Sequence, residues 1–445
     1  MADKSIVLVN PNQLTPGVPP IALDYLAAAC KSKGITADVL DLCYSADSQA
    51  DIEAFLRDRA PDLIGVTLRN LDDIHCGDFL LPNVKTIVDR LKKASNAPIV
   101  LGGSGFSIAP ERILDYCGVD LGVAGEGEEA LPMLVEKLGD VSAYPSIPGL
   151  VYRNSGSFAR NPVGQADPAS LPIAKRGHID YGPYISENPS TPKTTAVQAK
   201  RGCGQNCIYC IVPRIEGTTV RLRPVEHIVD EIESIVGLGI KSFWFADSEF
   251  NCPEEHAKSI CREMIARGLP ERITWMAYTS PKPFSRELAE LMKQAGCSML
   301  FSTIDHGADQ MLERLNKDFR TEDIRDAVKA ARDAGMKSCY SLMLGAPGET
   351  FETLQKAAEF LLTLRPIKIP LKDPQGFRIY PNSPLADIVR EEGFSRKNRS
   401  LAGKIEDNED LLRPVFYFSG KLGPLASAAK LWRRIAKTPY RCAPR

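Results

Sequence analysis

No stretch of this 445-residue chain approaches the apolar length that crosses a bilayer, and the apolar run near its start, IVLV, is too short for a secretory signal. No charge of either sign prevails: 55 Lys and Arg stand against 56 Asp and Glu, a formal net charge of -1. With no overall field to collect phosphate backbones or anionic lipid, binding to nucleic acid or a membrane surface is not the expectation. No repeat of solenoid length is apparent. Nor do the twelve cysteines form a dense disulfide framework, because most lie far apart. The expectation is a cytoplasmic protein whose thiols stay reduced and whose clustered cysteines bind metal.

What is present is a long alternation of short apolar runs and helical patterns. In the first part, strands are expected at 5–9, 37–42, 63–68, 98–102 and 121–123, each followed by a helical pattern. All-apolar strands in βα units describe a doubly wound, Rossmann-like parallel sheet covered on both faces. Residues 146–192 are rich in Pro, Gly, Ser and Asn, with one strand pair near 150–160, and read as a linker. From 193 the alternation resumes, with strands expected at 194–198, 242–246, 273–277, 299–303, 337–343 and 376–380. Six βα units suggest a partial TIM-like barrel with its site at the C-terminal strand ends. The expected domains are thus 1–145, a linker at 146–192, a barrel at 193–390, and a small, mainly helical C-terminal region at 391–445. Trp275, Tyr278 and Tyr340 lie on or near barrel strands, where core packing is the expected role.

Three cysteines stand together: Cys203, Cys207 and Cys210, in RGCGQNCIYC just after the first barrel strand. Three thiolates on one loop suit a soft metal or an iron–sulfur cluster. The spacing leaves a fourth iron without a protein ligand, open to a small molecule. The alternative is a zinc site completed by a remote ligand such as His227 or Cys252.

These residues resemble the radical S-adenosylmethionine (SAM) enzymes, in the branch with an N-terminal cobalamin-binding domain. The resemblance implies that the three cysteines ligate three irons of a 4Fe–4S cluster, that SAM chelates the fourth, and that an electron cleaves SAM to a 5′-deoxyadenosyl radical. Tyr209 matches the family's aromatic residue before the third cysteine. FWFADSEFN matches the segment near the SAM amino group, with Asp247 and Glu249 as acceptors, although either acid could instead cap the following helix. FSTIDHGADQMLERLNK matches a segment that implies Ser302 and Asp305 near SAM, but has Ile304, Asp305 and His306 where the family usually has Glu, Ser and Gly. His306 reads as a satisfied surface histidine. LMLGAPGET matches a family turn, placing Glu349 early in a helix.

In a doubly wound sheet of flavodoxin-like order, ligands bind at the loops after strands one and three, here Asn10 to Leu14 and Leu68, Arg69 and Asn70. Two glycine-rich turns, with Gly102, Gly103 and Ser104 and with Gly125, Glu126 and Gly127, resemble the family's cobalamin cradle. NPNQLTPG, after the first strand, holds no histidine for cobalt. Asp73, His75 and Gly77 are a near miss to the cobalt-histidine motif, one residue short and after the wrong strand. Arg69 is the candidate neighbour of the cobalamin lower face, unless it pairs with Asp72.

The resemblance implies a cobalamin-dependent radical SAM methyltransferase that moves a methyl group from SAM, through methylcobalamin, to an unactivated carbon of a small molecule or peptide. An electron donor such as flavodoxin or ferredoxin is implied. The alternatives are other chemistry with the same cofactors, polar methyl transfer, a sheet domain that has lost cobalamin, and a non-enzymatic zinc or iron–sulfur protein.

Overall fold

The computed structural model describes residues 4–73, 77–187, 195–364 and 376–422. Its first sheet contains β1 (Ser5–Asn10), β2 (Thr36–Asp41), β3 (Leu63–Thr67), β4 (Ile99–Gly102) and β5 (Leu121–Val123), all parallel, in the order β2-β1-β3-β4-β5. That is the flavodoxin-like order, with the switch between β1 and β3. Strand periodicity explains the two-sided burial. Ile6 and Leu8 enter one apolar core while Val7 and Val9 enter the other. The hairpin β6 (Leu150–Asn154) and β7 (Ser157–Arg160), in the segment read as a linker, extends this sheet antiparallel to β5.

The second sheet holds β8 (Ala196–Val197), β9 (Ser242–Phe245), β10 (Thr274–Thr279), β11 (Cys297–Asp305) and β12 (Ser338–Leu342), parallel and in sequential order. Phe243, Phe245, Trp275 and Leu300 pack on the helix side; Trp275 and Tyr340 are core residues, as expected.

The expected sixth barrel strand is displaced. β13 (Phe377–Arg378) joins β14 (Leu401–Gly403) and β15 (Val415–Tyr417) in a separate antiparallel sheet, ordered β13-β15-β14. Among the described residues, the parallel barrel sheet therefore has five strands. The C-terminal region is also less helical than expected as far as residue 422, because its run Val415, Phe416, Tyr417 and Phe418 is β-branched and aromatic and pairs as a strand. Residues 423–445, which carry the rest of that expectation, and His75 of the near-miss motif lie outside the described residues. Among the described residues, no helix is long and apolar enough to cross a membrane.

Candidate active site between the two sheets

The cysteine loop leaves β8 through a short antiparallel ladder, Lys200–Arg201 against Arg221–Leu222. Gly202 turns it with φ +82°, and a side chain there would collide with the carbonyl of Thr219. Cys203 and Cys207 are buried and Cys210 half-buried. Burial raises all three thiol pKa values, that of Cys207 to about 12, while Lys317 pulls the other way. Among the described residues, no three His, Cys, Asp or Glu side chains converge on one ion position.

Around this loop stand the acids. Asp247, just beyond β9, accepts from the backbone N–H groups of Ala199 (2.8 Å) and Lys200 (3.2 Å) through Oδ1. Its Oδ2 is buried with no partner among the described residues, and burial raises the carboxyl to about 6. Glu249 does not cap the following helix, Glu254–Ala266, whose N-cap residue is Pro253. Burial raises its carboxyl, against Lys317 and Lys200.

Asp305, at the end of β11 with φ +55°, is fully buried. It accepts from the Tyr209 hydroxyl at 3.1 Å and pairs with Lys317 Nζ at 2.8 Å. Ser302 does not share that position. It shares a strand face with Leu300 and Ile304 of the helix-side core and pairs in register with Tyr340 of that core, so its side chain turns away from the barrel interior. The expectation of a surface His306 also fails: both His306 and Glu349 are buried. His306 Nδ1 accepts from Ala308 N–H (3.1 Å), which leaves the proton on Nε2 to donate to Glu349 at 2.7 Å. Glu349 also accepts from Gly345 N–H. It braces two strand-end loops.

On the other side, Gly102, Gly103, Ser104, Gly125, Glu126 and Gly127 all line one cavity of about 240 Å³. Gly103 has φ +100°, and a Cβ there would lie 2.7 Å from the Leu68 carbonyl oxygen, so the turn packs directly on the loop after β3. Asn10, Leu14, Leu68, Arg69 and Asn70 do not line that cavity. The Asn10 side chain is engaged with Asp41 (2.8 Å) and with the N–H of Asn12 (3.2 Å). Asp72 pairs with Arg378 at 2.8 Å, not with Arg69. Arg69 Nη1 is buried with no partner among the described residues.

The same cavity is closed by barrel residues that sequence reading missed: Gln198, Arg201, Ile215 and Glu216. Arg201 pairs with Glu126 (3.1 Å) and Glu128, and Arg221 also binds Glu126. Glu126 is thus committed to arginines. The glycine-rich turn after β5 is tied to the strand that enters the cysteine loop, two residues before Cys203.

Residues 197–361 match the family model of the radical SAM superfamily, and residues 12–135 match that of the B12 binding domain. The chain carries a radical SAM domain and a B12-binding domain. It is 29% identical over 450 residues to tryptophan 2-C-methyltransferase of Streptomyces laurentii, covering 87% of this chain and 75% of that protein. TsrM, a radical SAM methyltransferase of Kitasatospora setae whose structure holds a tryptophan substrate and a SAM analogue, superposes with TM-score 0.87 at 27% identity, over 97% of this chain and 89% of that one. The cobalamin-dependent radical SAM enzyme OxsB shares the fold, with TM-score 0.76 at 18% identity over 97% of this chain and 67% of that one.

For a B12-dependent radical SAM enzyme the residues fit. Three thiols on one loop suit cluster irons. The orphaned Oδ2 of Asp247 suits an ammonium. The glycine-rich turns suit a large cofactor lying against backbone, and Arg69, whose Nη1 is buried without a partner among the described residues, suits a place beside it. Lys317 and Arg201 were within reach of the sequence, since both stand in quoted motif segments, but their roles depend on contacts across more than 70 residues.

Proposed function

We propose that this enzyme methylates a carbon of a small aromatic substrate held in the barrel beneath the cluster loop. The observation that carries the reading is the shared cavity: turns of the B12-binding sheet and residues leading into the cysteine loop line one space and are joined by ion pairs. Bound SAM supplies the methyl group, bound cobalamin a cobalt able to carry it, and the cluster an electron; the chain's own residues do the placing.

Cys203, Cys207 and Cys210 would hold the cluster, and Asp247 would accept from the SAM ammonium. Gly102, Gly103, Ser104, Gly125 and Gly127 would let cobalamin approach backbone. Arg69 would lie beneath it as a cation unable to coordinate cobalt. The aromatic preference is supported by Trp244, Tyr278 and Phe301, which stand on three neighbouring strands with ring centroids 6.2 and 5.5 Å apart. They are only half-buried, unlike their strand neighbours Phe243, Ala277 and Leu300 in the helix-side core. The methylated substrate of the Streptomyces relative is tryptophan, which has such a ring. A cytoplasmic setting with a flavodoxin or ferredoxin as donor suits the reading.

Anaerobically reconstituted enzyme should be given methyl-labelled SAM, cobalamin, reductant and a panel of indoles, with tryptophan first. Label in an aromatic product is expected. A radical route should give 5′-deoxyadenosine together with S-adenosylhomocysteine, and polar transfer only the latter. No label in any aromatic compound, with both cofactors bound, would refute the substrate class.

A further inference from the structure

We infer that Lys317 is a positioning cation for the cluster, held by Asp305 so that its ammonium donates to the sulfur of Cys207 and makes the cluster easier to reduce. The inference rests on the reading of the three cysteines as cluster ligands, and reassigns Asp305 from a SAM contact to the counter-ion of this lysine.

The turn that carries Lys317 is clamped to the cysteine loop at three successive residues. Ile208 N–H donates to the Leu315 carbonyl (3.2 Å), Asn316 Nδ2 to the Asn206 carbonyl (2.8 Å), and Lys317 Nζ to Cys207 Sγ (3.1 Å). Asn316 adopts φ +58° to make this approach. The ammonium is nearly inaccessible to water, with its side chain 5% exposed, and lies over the rings of Phe319 (5.1 Å) and Tyr209 (6.0 Å). Its ion partner Asp305 is oriented by the Tyr209 hydroxyl, and the next residue, His306, is locked by Glu349. Tyr209 thus acts on Asp305, although it sits beside Cys210 in the chain.

A fixed cation in a water-poor site interacts strongly with charge placed beside it. The potential of a cluster depends on its net charge, on hydrogen bonds to its sulfurs and on solvent exposure. Reduction adds negative charge within reach of Lys317, so the reduced form gains more than the oxidised form. A brace alone would have no such preference.

The test is an EPR-monitored redox titration of the reconstituted, full-length enzyme, with iron and sulfide content measured on the wild type to check the cluster reading separately. Lys317→Met alone would strand Asp305, so the informative variant is Lys317→Met with Asp305→Asn, which removes both charges and nearly keeps the volume. A midpoint potential shifted to more negative values at wild-type iron content is expected. Lys317→Arg, which keeps the charge, should return the potential toward that of the wild type. An unchanged potential in the double variant would overturn the inference. So would a folded double variant that holds no cluster, because the pair would then build the site instead of tuning it.

Discussion

Asp247 is held by two backbone donors on one oxygen while the other is buried without a partner. Burial raises its carboxyl from an ordinary 3.8 to about 6, so folding favours the protonated form. That contribution is full below about 3.8 and is lost as pH rises through about 6. Asp247→Asn can keep both backbone bonds without the buried charge. The cofactor-free variant should be more stable than wild type in urea at pH 8, by on the order of 1–3 kcal/mol, with the difference closing near pH 4. The same variant should bind SAM at least tenfold more weakly by calorimetry; equal affinity would exclude the ammonium contact. Arg69 makes the second residue-scale prediction. Its unpartnered nitrogen should report on cobalamin, so Arg69→Gln should change the visible spectrum of bound cobalamin. An unaltered spectrum would remove Arg69 from the cofactor's lower face. The three cysteines could be proposed as cluster ligands from the sequence because their spacing is local. The orientation of Ser302 was not, because it depends on which face of β11 meets the helices.

At the scale of elements, the turn after β4 makes the case. Gly103 has φ +100° and lies against the carbonyl of Leu68, while Ser104 Oγ donates to the Arg69 carbonyl at 2.9 Å. The turn therefore supports the loop that presents Arg69. Gly103→Ala should cost about 1–3 kcal/mol in chemical denaturation and lower cobalamin retention on gel filtration. If retention is unchanged at reduced stability, the turn supports the sheet and not the cofactor. Strand positions were read from the sequence to within a residue or two where apolar runs are continuous, as at β1 and β5. β13 was not placed correctly, because its neighbour is chosen by an antiparallel pairing with β15, almost 40 residues away.

Across the whole molecule, the two sheets are joined through buried charge. Arg176, from the connecting segment, lies between Asp24 (3.3 Å) of the helix Ile21–Ser32 and Glu231 of the helix Val225–Gly237. Tyr25 and Arg223 also reach Glu231, at 2.9 and 2.7 Å. Arg176→Met leaves two buried acids short of a cation and should cost about 3–5 kcal/mol. Calorimetry should then resolve two unfolding transitions in the variant and one in the wild type; a single transition in both would mean that the sheets are held together elsewhere. The sequence by itself determined the grouping of three cysteines on one loop, the alternation of strands and helices, and the two glycine-rich turns, because each is written within a few neighbouring residues. Tertiary structure alone decided that Glu126 faces arginines, that His306 is buried against Glu349, and that Lys317 meets Cys207. These are contacts between distant segments, and in a buried site the partner brought by the fold determines what a charged side chain does.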